Sequence, residues 1–179
     1  GDIGHTAQFY VRGLFDRLGA DAITVSPYMG RDSVLPFLQT PGRGVFVLTH
    51  TSNAGSADLQ ECLVDAQDDW PREPVYLRMA RHIQQWNAHP DTKGDAGLVV
   101  GATAPEALAE IRDVCPALPF LVPGVGAQGG DARAVVDAAV TKDGSILVNS
   151  SRSILYASLG DDFAEAAAEV AAALKGALG

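Results

Sequence analysis

Apolar positions along this chain follow two rhythms. Between residues 6 and 18, Ala7, Tyr10, Val11, Leu14, Phe15 and Leu18 recur at helical spacing, and Gly19 stands where a helix C-cap is expected. Short runs rich in Val, Ile and Leu mark strands at 21–26, 44–50, 96–101, 118–122 and 145–149. The first of these reads as a buried strand. Helical patterns lie between the strands. One covers 32–38 and is stopped by Pro41-Gly42. A second covers 75–87, with Val75, Leu77, Met79, Ile83 and Trp86 as its core contacts. A third covers 105–114, with Thr103 as its cap and proline in its first turn, and a fourth covers 132–140. Residues 52–56 read as a turn. The polar segment 57–73 reads as a lid or a surface excursion, with Pro71 and Pro74 near its end. An alanine-rich helix occupies 161–178.

Strand and helix therefore alternate five times. Buried strands separated by helices imply an α/β fold of parallel strands joined by right-handed crossovers. One stretch then decides between parallel architectures. Phe120-Leu-Val-Pro-Gly-Val-Gly-Ala-Gln-Gly-Gly-Asp131 is an apolar run followed by glycines around a single glutamine, with a helical pattern after it. So little side-chain bulk lets backbone N–H groups approach a ligand, and the following helix offers its positive end to an anion. The reading is a phosphate cradle. Gly124-Val-Gly-Ala-Gln-Gly129 also matches a dinucleotide fingerprint, but that motif needs an acidic residue at the end of the next strand. Here that strand ends in Asn149-Ser-Ser-Arg152, and no further strand follows it. A glycine-rich turn with no ligand is the plain alternative.

A phosphate site at the last two strands is a feature of the (β/α)₈ barrel, which takes about 250 residues. The expectation is one domain, residues 1–179, forming the C-terminal portion of such a barrel. Three strands and roughly 70 residues would precede Gly1 on that architecture.

Composition narrows the function. The chain has 179 residues, of which 47% are hydrophobic, enough for one sizeable core. A net charge of −9 and a pI near 4.7 speak against nonspecific binding to nucleic acid or to anionic membranes. A small anionic substrate remains compatible with a local cationic site. Cys62 and Cys115 read as free, mostly buried thiols of a reducing compartment. No apolar run reaches membrane-spanning length, and a cytoplasmic protein is the default. His5, His50, His82 and His89 share no metal-ligand spacing. Asp68-Asp69 reads as solvated surface, and Trp70 and Trp86 as packing residues.

Four segments together resemble one known family. They are Asp2-Ile3 with Thr6; Leu48-Thr-His-Thr-Ser-Asn53 followed by Gly55; Pro123-Gly-Val-Gly-Ala-Gln-Gly-Gly130; and Ser151-Arg-Ser-Ile-Leu-Tyr156. In this order and spacing they resemble orotidine 5′-phosphate decarboxylase, in the bacterial form found in actinobacteria, over essentially the whole chain. The resemblance implies a (β/α)₈ barrel that acts as a homodimer, without metal or cofactor, on orotidine 5′-monophosphate. It implies an Asp-x-Lys-x-x-Asp-Ile motif, of which Asp2-Ile3 are the last two residues and whose lysine falls two positions before Gly1.

The same resemblance gives the residues their roles. Asp2 is the carboxylate that each subunit lends to the other's active site. Ile3 packs on the substrate and Thr6 donates a hydrogen bond. Ser52 hydrogen-bonds the pyrimidine. Gln128 bridges pyrimidine and phosphate, Pro123 lines the pocket, and Ser151 and Arg152 hold the phosphate. Gln128 has no obvious structural role among the glycines, but several of the others have a structural alternative. Asp2 could cap a helix that Ile3 and Thr6 merely begin, Ser52 could bond its own turn, and Arg152 could be a surface cation. Another phosphate-binding barrel lyase or isomerase, or a noncatalytic barrel fragment, is the alternative for the chain as a whole.

Overall fold

The computed structural model describes residues 3–126 and 129–179. Five parallel strands form one sheet: β1 (Ala22–Val25), β2 (Gly44–His50), β5 (Asp95–Val100), β6 (Phe120–Pro123) and β7 (Ile146–Asn149). Their spatial order, β1-β2-β5-β6-β7, is their order in the chain. Each new strand adds to the same edge, so the sheet lacks the reversal that defines a doubly wound nucleotide fold. It is an arc of a (β/α)₈ barrel, as the alternation of patterns implies.

Helices cover one face. They are α1 (Gly4–Val11), α2 (Arg31–Leu38), α3 (Val75–Asn87), α4 (Pro105–Val114), α5 (Ala132–Ala139), a single turn α6 (Arg152–Leu155) and α7 (Phe163–Leu178). The chain continues from α1 through a π-helical stretch, Arg12–Arg17, before Gly19 turns it with φ of +69°. Val45, Val47, Leu98, Phe120 and Val122 point under these helices and meet Phe37, Ile83, Leu108 and Ile111 in one core. The other side of the sheet is less covered: Leu48 is 37% and Leu147 55% exposed. The strand expected at 21–26 is an edge strand, and only Val25 of β1 is buried.

Arg112 fastens the lower end of the sheet. It is buried on α4 and stacks 3.5 Å from the centre of the Phe120 ring. Its Nε donates to the carbonyl of Ala139 (2.7 Å), its Nη1 to Cys115 (3.0 Å) and Leu118 (2.6 Å), and its Nη2 to Ser145 (3.2 Å). Desolvation lowers its pKa, partly opposed by the neighbouring Cys115. Uncharged carbonyls, rather than a carboxylate, compensate this cation.

The polar segment is built rather than loose. It contains a short 3₁₀ turn (Ser56–Asp58) and an antiparallel pair, β3 (Leu63–Val64) with β4 (Glu73–Pro74). Glu73 is buried and accepts from Arg78 Nε (2.9 Å) and Arg81 Nε (2.8 Å), both on α3. Arg78 also donates to the carbonyls of Asp65 and Pro71. A buried carboxylate needs such partners to remain charged. The hairpin is thereby tied to α3.

This changes α3's buried face. Tyr76, Arg78, Ala80, Ile83 and Trp86 are buried, whereas Val75, Leu77 and Met79 are only half-buried. The helix is covered by the sheet on one side and by the hairpin on the other, so an apolar stripe alone does not describe it. Two further expectations are corrected. Thr103 is exposed and caps nothing: Ala104 holds the N-cap position of α4 and makes no side-chain cap bond. Cys62 is exposed, and only Cys115 is buried, where desolvation pushes its thiol up to about 12. Trp70 and Trp86 instead behave as expected, packing on either side of His82 with ring centres 4.6 and 5.8 Å away. Among the described residues, no helix is long and apolar enough to cross a membrane.

Candidate active site

The C-terminal ends of β6 and β7 face each other across a cavity of about 180 Å³. Pro123, Gly124 and Val125 line one side, and Asn149, Ser150, Ser151 and Arg152 the other. The first side is shaped by glycine. Gly124, Gly126 and Gly129 have φ of +99°, +82° and +89°, a region that side chains rarely tolerate. The loop folds back on itself through Gly126 N–H to Gly130 O (3.1 Å) and Gly130 N–H to Gly124 O (3.1 Å). Ser150 Oγ donates to the carbonyl of Val125 (3.1 Å) and lies 2.5 Å from Ser153 Oγ, which locks the two sides together.

Arg152 begins α6 with its side chain at the cavity wall. Among the described residues its guanidinium has no carboxylate or carbonyl partner, and it is solvent-exposed. A planar, permanently charged fork at the end of a parallel strand suits a phosphate oxygen pair. The N-terminus of α5, expected to aim its positive end at the cradle, carries its own cap: Asp131 accepts from Ala134 N–H at 2.9 Å.

Of the residues assigned from sequence, the structure gathers Pro123, Ser151 and Arg152 around one cavity. Asn149 and Ser150 join them. The polar run directly after an apolar strand was the signal for these two, and the single turn α6 was not anticipated. Ser52 lies beyond the end of β2, two strands away. It sits after a β-bulge: Leu48 pairs with Val99 and His50 with Val100, leaving Thr49 as the extra residue. Bulges re-aim the side chains that follow them. Ser52 packs on Gly101, where a Cβ would meet Ser52 N at 2.7 Å, Cβ at 2.8 Å and Cα at 2.9 Å.

Ile3 is the exposed N-cap residue of α1. Thr6 lines a separate, mostly apolar groove of about 410 Å³ with Phe9, Tyr10 and Leu14. Neither reaches the cavity in this chain. Asp2 and Gln128 lie outside the described residues.

This geometry meets an independent finding. Residues 1–170 match the model of the "Orotidine 5'-phosphate decarboxylase / HUMPS family". The chain belongs to that family. An orotidine 5′-phosphate decarboxylase of Delftia acidovorans is 51% identical over 177 residues, 98% of this chain and 62% of that relative. The chain thus spans about three-fifths of the length of the curated relative it matches. The structure of Leishmania donovani UMP synthase is 43% identical with a TM-score of 0.81, over 99% of this chain and 38% of that one. That of Leishmania donovani OMP decarboxylase is 39% identical with a TM-score of 0.79, over 99% of this chain and 65% of that one. The family resemblance read from four sequence segments is therefore borne out, as is the barrel arc. The Delftia relative is betaproteobacterial, so the comparison supports the family and not the actinobacterial form.

Proposed function

We propose that the protein carrying this chain decarboxylates orotidine 5′-monophosphate to uridine 5′-monophosphate and CO₂ in pyrimidine biosynthesis, without metal or cofactor. The observation that carries the proposal is the cavity between β6 and β7, where a glycine-shaped loop faces an arginine that has no carboxylate partner among the described residues. Family membership supports it. In this reading Arg152 and the backbone at Ser151 hold the 5′-phosphate, and Gln128 bridges phosphate and pyrimidine. Pro123 packs on the ring and Ser52 hydrogen-bonds it.

The chemistry fits such an arrangement. Cleaving the bond between ring carbon and carboxylate leaves an electron pair on a carbon with little intrinsic stabilisation. Catalysis needs donors that strengthen as charge moves into the ring, and a proton for the carbon. Ser52 supplies the first. A lysine of the Asp-x-Lys-x-x-Asp-Ile motif, before Gly1, supplies the second. Grip on the remote phosphate offsets the cost of holding the carboxylate beside Asp2.

We also assign residues 1–179 to the C-terminal portion of a single barrel domain, in a cytoplasmic homodimer of the bacterial type. In that assembly Asp2, Ile3 and Thr6 serve the partner's site. The exposed side of α1, with Phe9 at 68% and Tyr10 at 50%, supports a contact there. The uncovered side of the sheet supports further strands.

The test is release of CO₂ from carboxyl-labelled orotidine 5′-monophosphate by the native polypeptide, with and without EDTA. Turnover unaffected by EDTA is expected. No turnover, or turnover restored only by added magnesium, would point to a different barrel lyase. Gly101→Ala is a second check. Its methyl group collides with the main chain of Ser52, and overpacking of this kind strains a site by about 1–3 kcal/mol. We expect kcat/KM to fall by roughly tenfold, since small misplacements of a catalytic group are costly, while the melting temperature changes by only a few degrees.

A further inference from the structure

The hairpin segment does more than cover α3, because one of its side chains reaches the end of β2. Gln60 faces Thr51, the residue immediately before Ser52. Its Oε1 accepts from Thr51 N–H at 2.8 Å, and its Nε2 donates to Thr51 Oγ1 at 2.8 Å. Thr51 Oγ1 in turn donates to Asn53 Oδ1 at 2.6 Å, so residues 51 and 53 are bonded on both sides of Ser52. The backbone of Gln60 is fixed as well. Its N–H donates to the carbonyl of Ser56 (2.9 Å), and its own carbonyl accepts from Tyr76 N–H (3.0 Å) at the start of α3. Behind Ser52, Gly101 leaves no room for retreat and donates its N–H to the carbonyl of His50 at 2.7 Å.

The backbone at Ser52 is therefore held from two directions. One is the sheet, through His50 and Gly101. The other is the hairpin, through a primary amide that satisfies both the N–H and the hydroxyl of Thr51. A turn left to itself after a β-bulge has no such restraint, because the bulge ends the ladder hydrogen bonds. An amide is suited to the task, since it offers a donor and an acceptor in one plane to two adjacent groups of opposite kind.

We propose that Gln60 is a positioning residue for substrate recognition: it sets the Ser52 hydroxyl against the pyrimidine through Thr51. The proposal rests on the reading of Ser52 as a substrate contact. It gives the segment leading into the hairpin a role in the reaction, and it makes Gln60 act through Ser52 rather than by touching the nucleotide.

That dependence sets the experiment, a double-mutant cycle in the native polypeptide with kcat and KM measured for orotidine 5′-monophosphate. Ser52→Ala lowers kcat/KM. Gln60→Ala lowers kcat/KM by roughly tenfold in the parent protein but by less than about twofold in the Ser52→Ala background, because coupled residues are not additive. Gln60→Glu keeps an acceptor for Thr51 N–H and recovers most of the loss. If Ser52→Ala is without effect, the reading of Ser52 falls and the proposal with it. If Ser52→Ala is costly but Gln60→Ala is silent, equally costly in both backgrounds, or no worse than Gln60→Glu, the positioning role alone is overturned. A loss of activity that merely followed unfolding would be the same in both backgrounds, so the cycle separates it from positioning.

Discussion

Replacing Arg152 by alanine is expected to lower kcat/KM for orotidine 5′-monophosphate by roughly a hundredfold, with KM raised and kcat also reduced. The guanidinium stands at the cavity wall with no carboxylate partner among the described residues. Losing one partner of a hydrogen-bonded charge pair costs about 2–5 kcal/mol, and each 1.36 kcal/mol is tenfold in rate. The effect divides between the two constants because binding energy from a remote phosphate is used partly at the reacting carbon. Arg152→Lys keeps the charge but loses the two-pronged geometry, and should recover only part of the loss. The melting temperature should not move, since the side chain supports nothing else among the described residues. Steady-state kinetics beside a thermal melt decide the matter. Unchanged kinetics in Arg152→Ala would remove the phosphate assignment.

Arg112→Ala should have the largest effect on stability. Four backbone carbonyls, of Ala139, Cys115, Leu118 and Ser145, take hydrogen bonds of 3.2 Å or less from this one guanidinium, and that of Pro116 takes a longer one of 3.5 Å. The carbonyls bring two connections, from α4 to β6 and from α5 to β7, together at the end of the sheet away from the active site. Ser145 O still accepts from Phe120 N–H (3.0 Å), but truncation takes the guanidinium donor from the others, at about 1–3 kcal/mol for each group left unsatisfied, and opens a void over Phe120. Water entering the void would relieve part of this, so a net loss of about 3–5 kcal/mol is expected in urea unfolding. That is a large share of the 5–15 kcal/mol typical of a domain. Lysine cannot reach all four carbonyls or stack flat on the ring, so Arg112→Lys should be intermediate. A midpoint within error of the parent protein would show that the carbonyls find other donors.

Local pattern carried far in this chain. The runs at 44–50 and 75–87 match β2 and α3 residue for residue, and 105–114 matches α4. These elements have the clearest period or a proline at the start. The other strands are displaced by one or two residues, because their ends depend on which neighbour supplies the next ladder bond. The errors share a cause. The β3–β4 hairpin has little apolar pattern and is held by Glu73 against two arginines of the next helix, a contact invisible to spacing. That contact also buries Arg78, which lies outside the apolar pattern of the helix. The cradle was legible because positive φ demands glycine, and Arg152 because a charge directly after an apolar run needs a reason. Asn149 and Ser150 were not singled out, since small polar residues fit any turn. Why Gly101 must be glycine emerges only once Ser52 is seen lying on it.

The strand order has a consequence for how the molecule is made. Since β1, β2, β5, β6 and β7 stand in the sheet as they stand in the chain, each strand finds its partner in one already synthesised. Every pairing still spans a whole crossover, but sequential order keeps each contact as local as parallel strands allow. The hairpin between β2 and β5 is the one long detour, and it is stitched to α3 by its own buried ion pair before β5 arrives. A nascent chain can therefore add one βα unit at a time onto the last. The growing sheet always presents a single fresh edge, the surface through which an incomplete chain would stick to its neighbours.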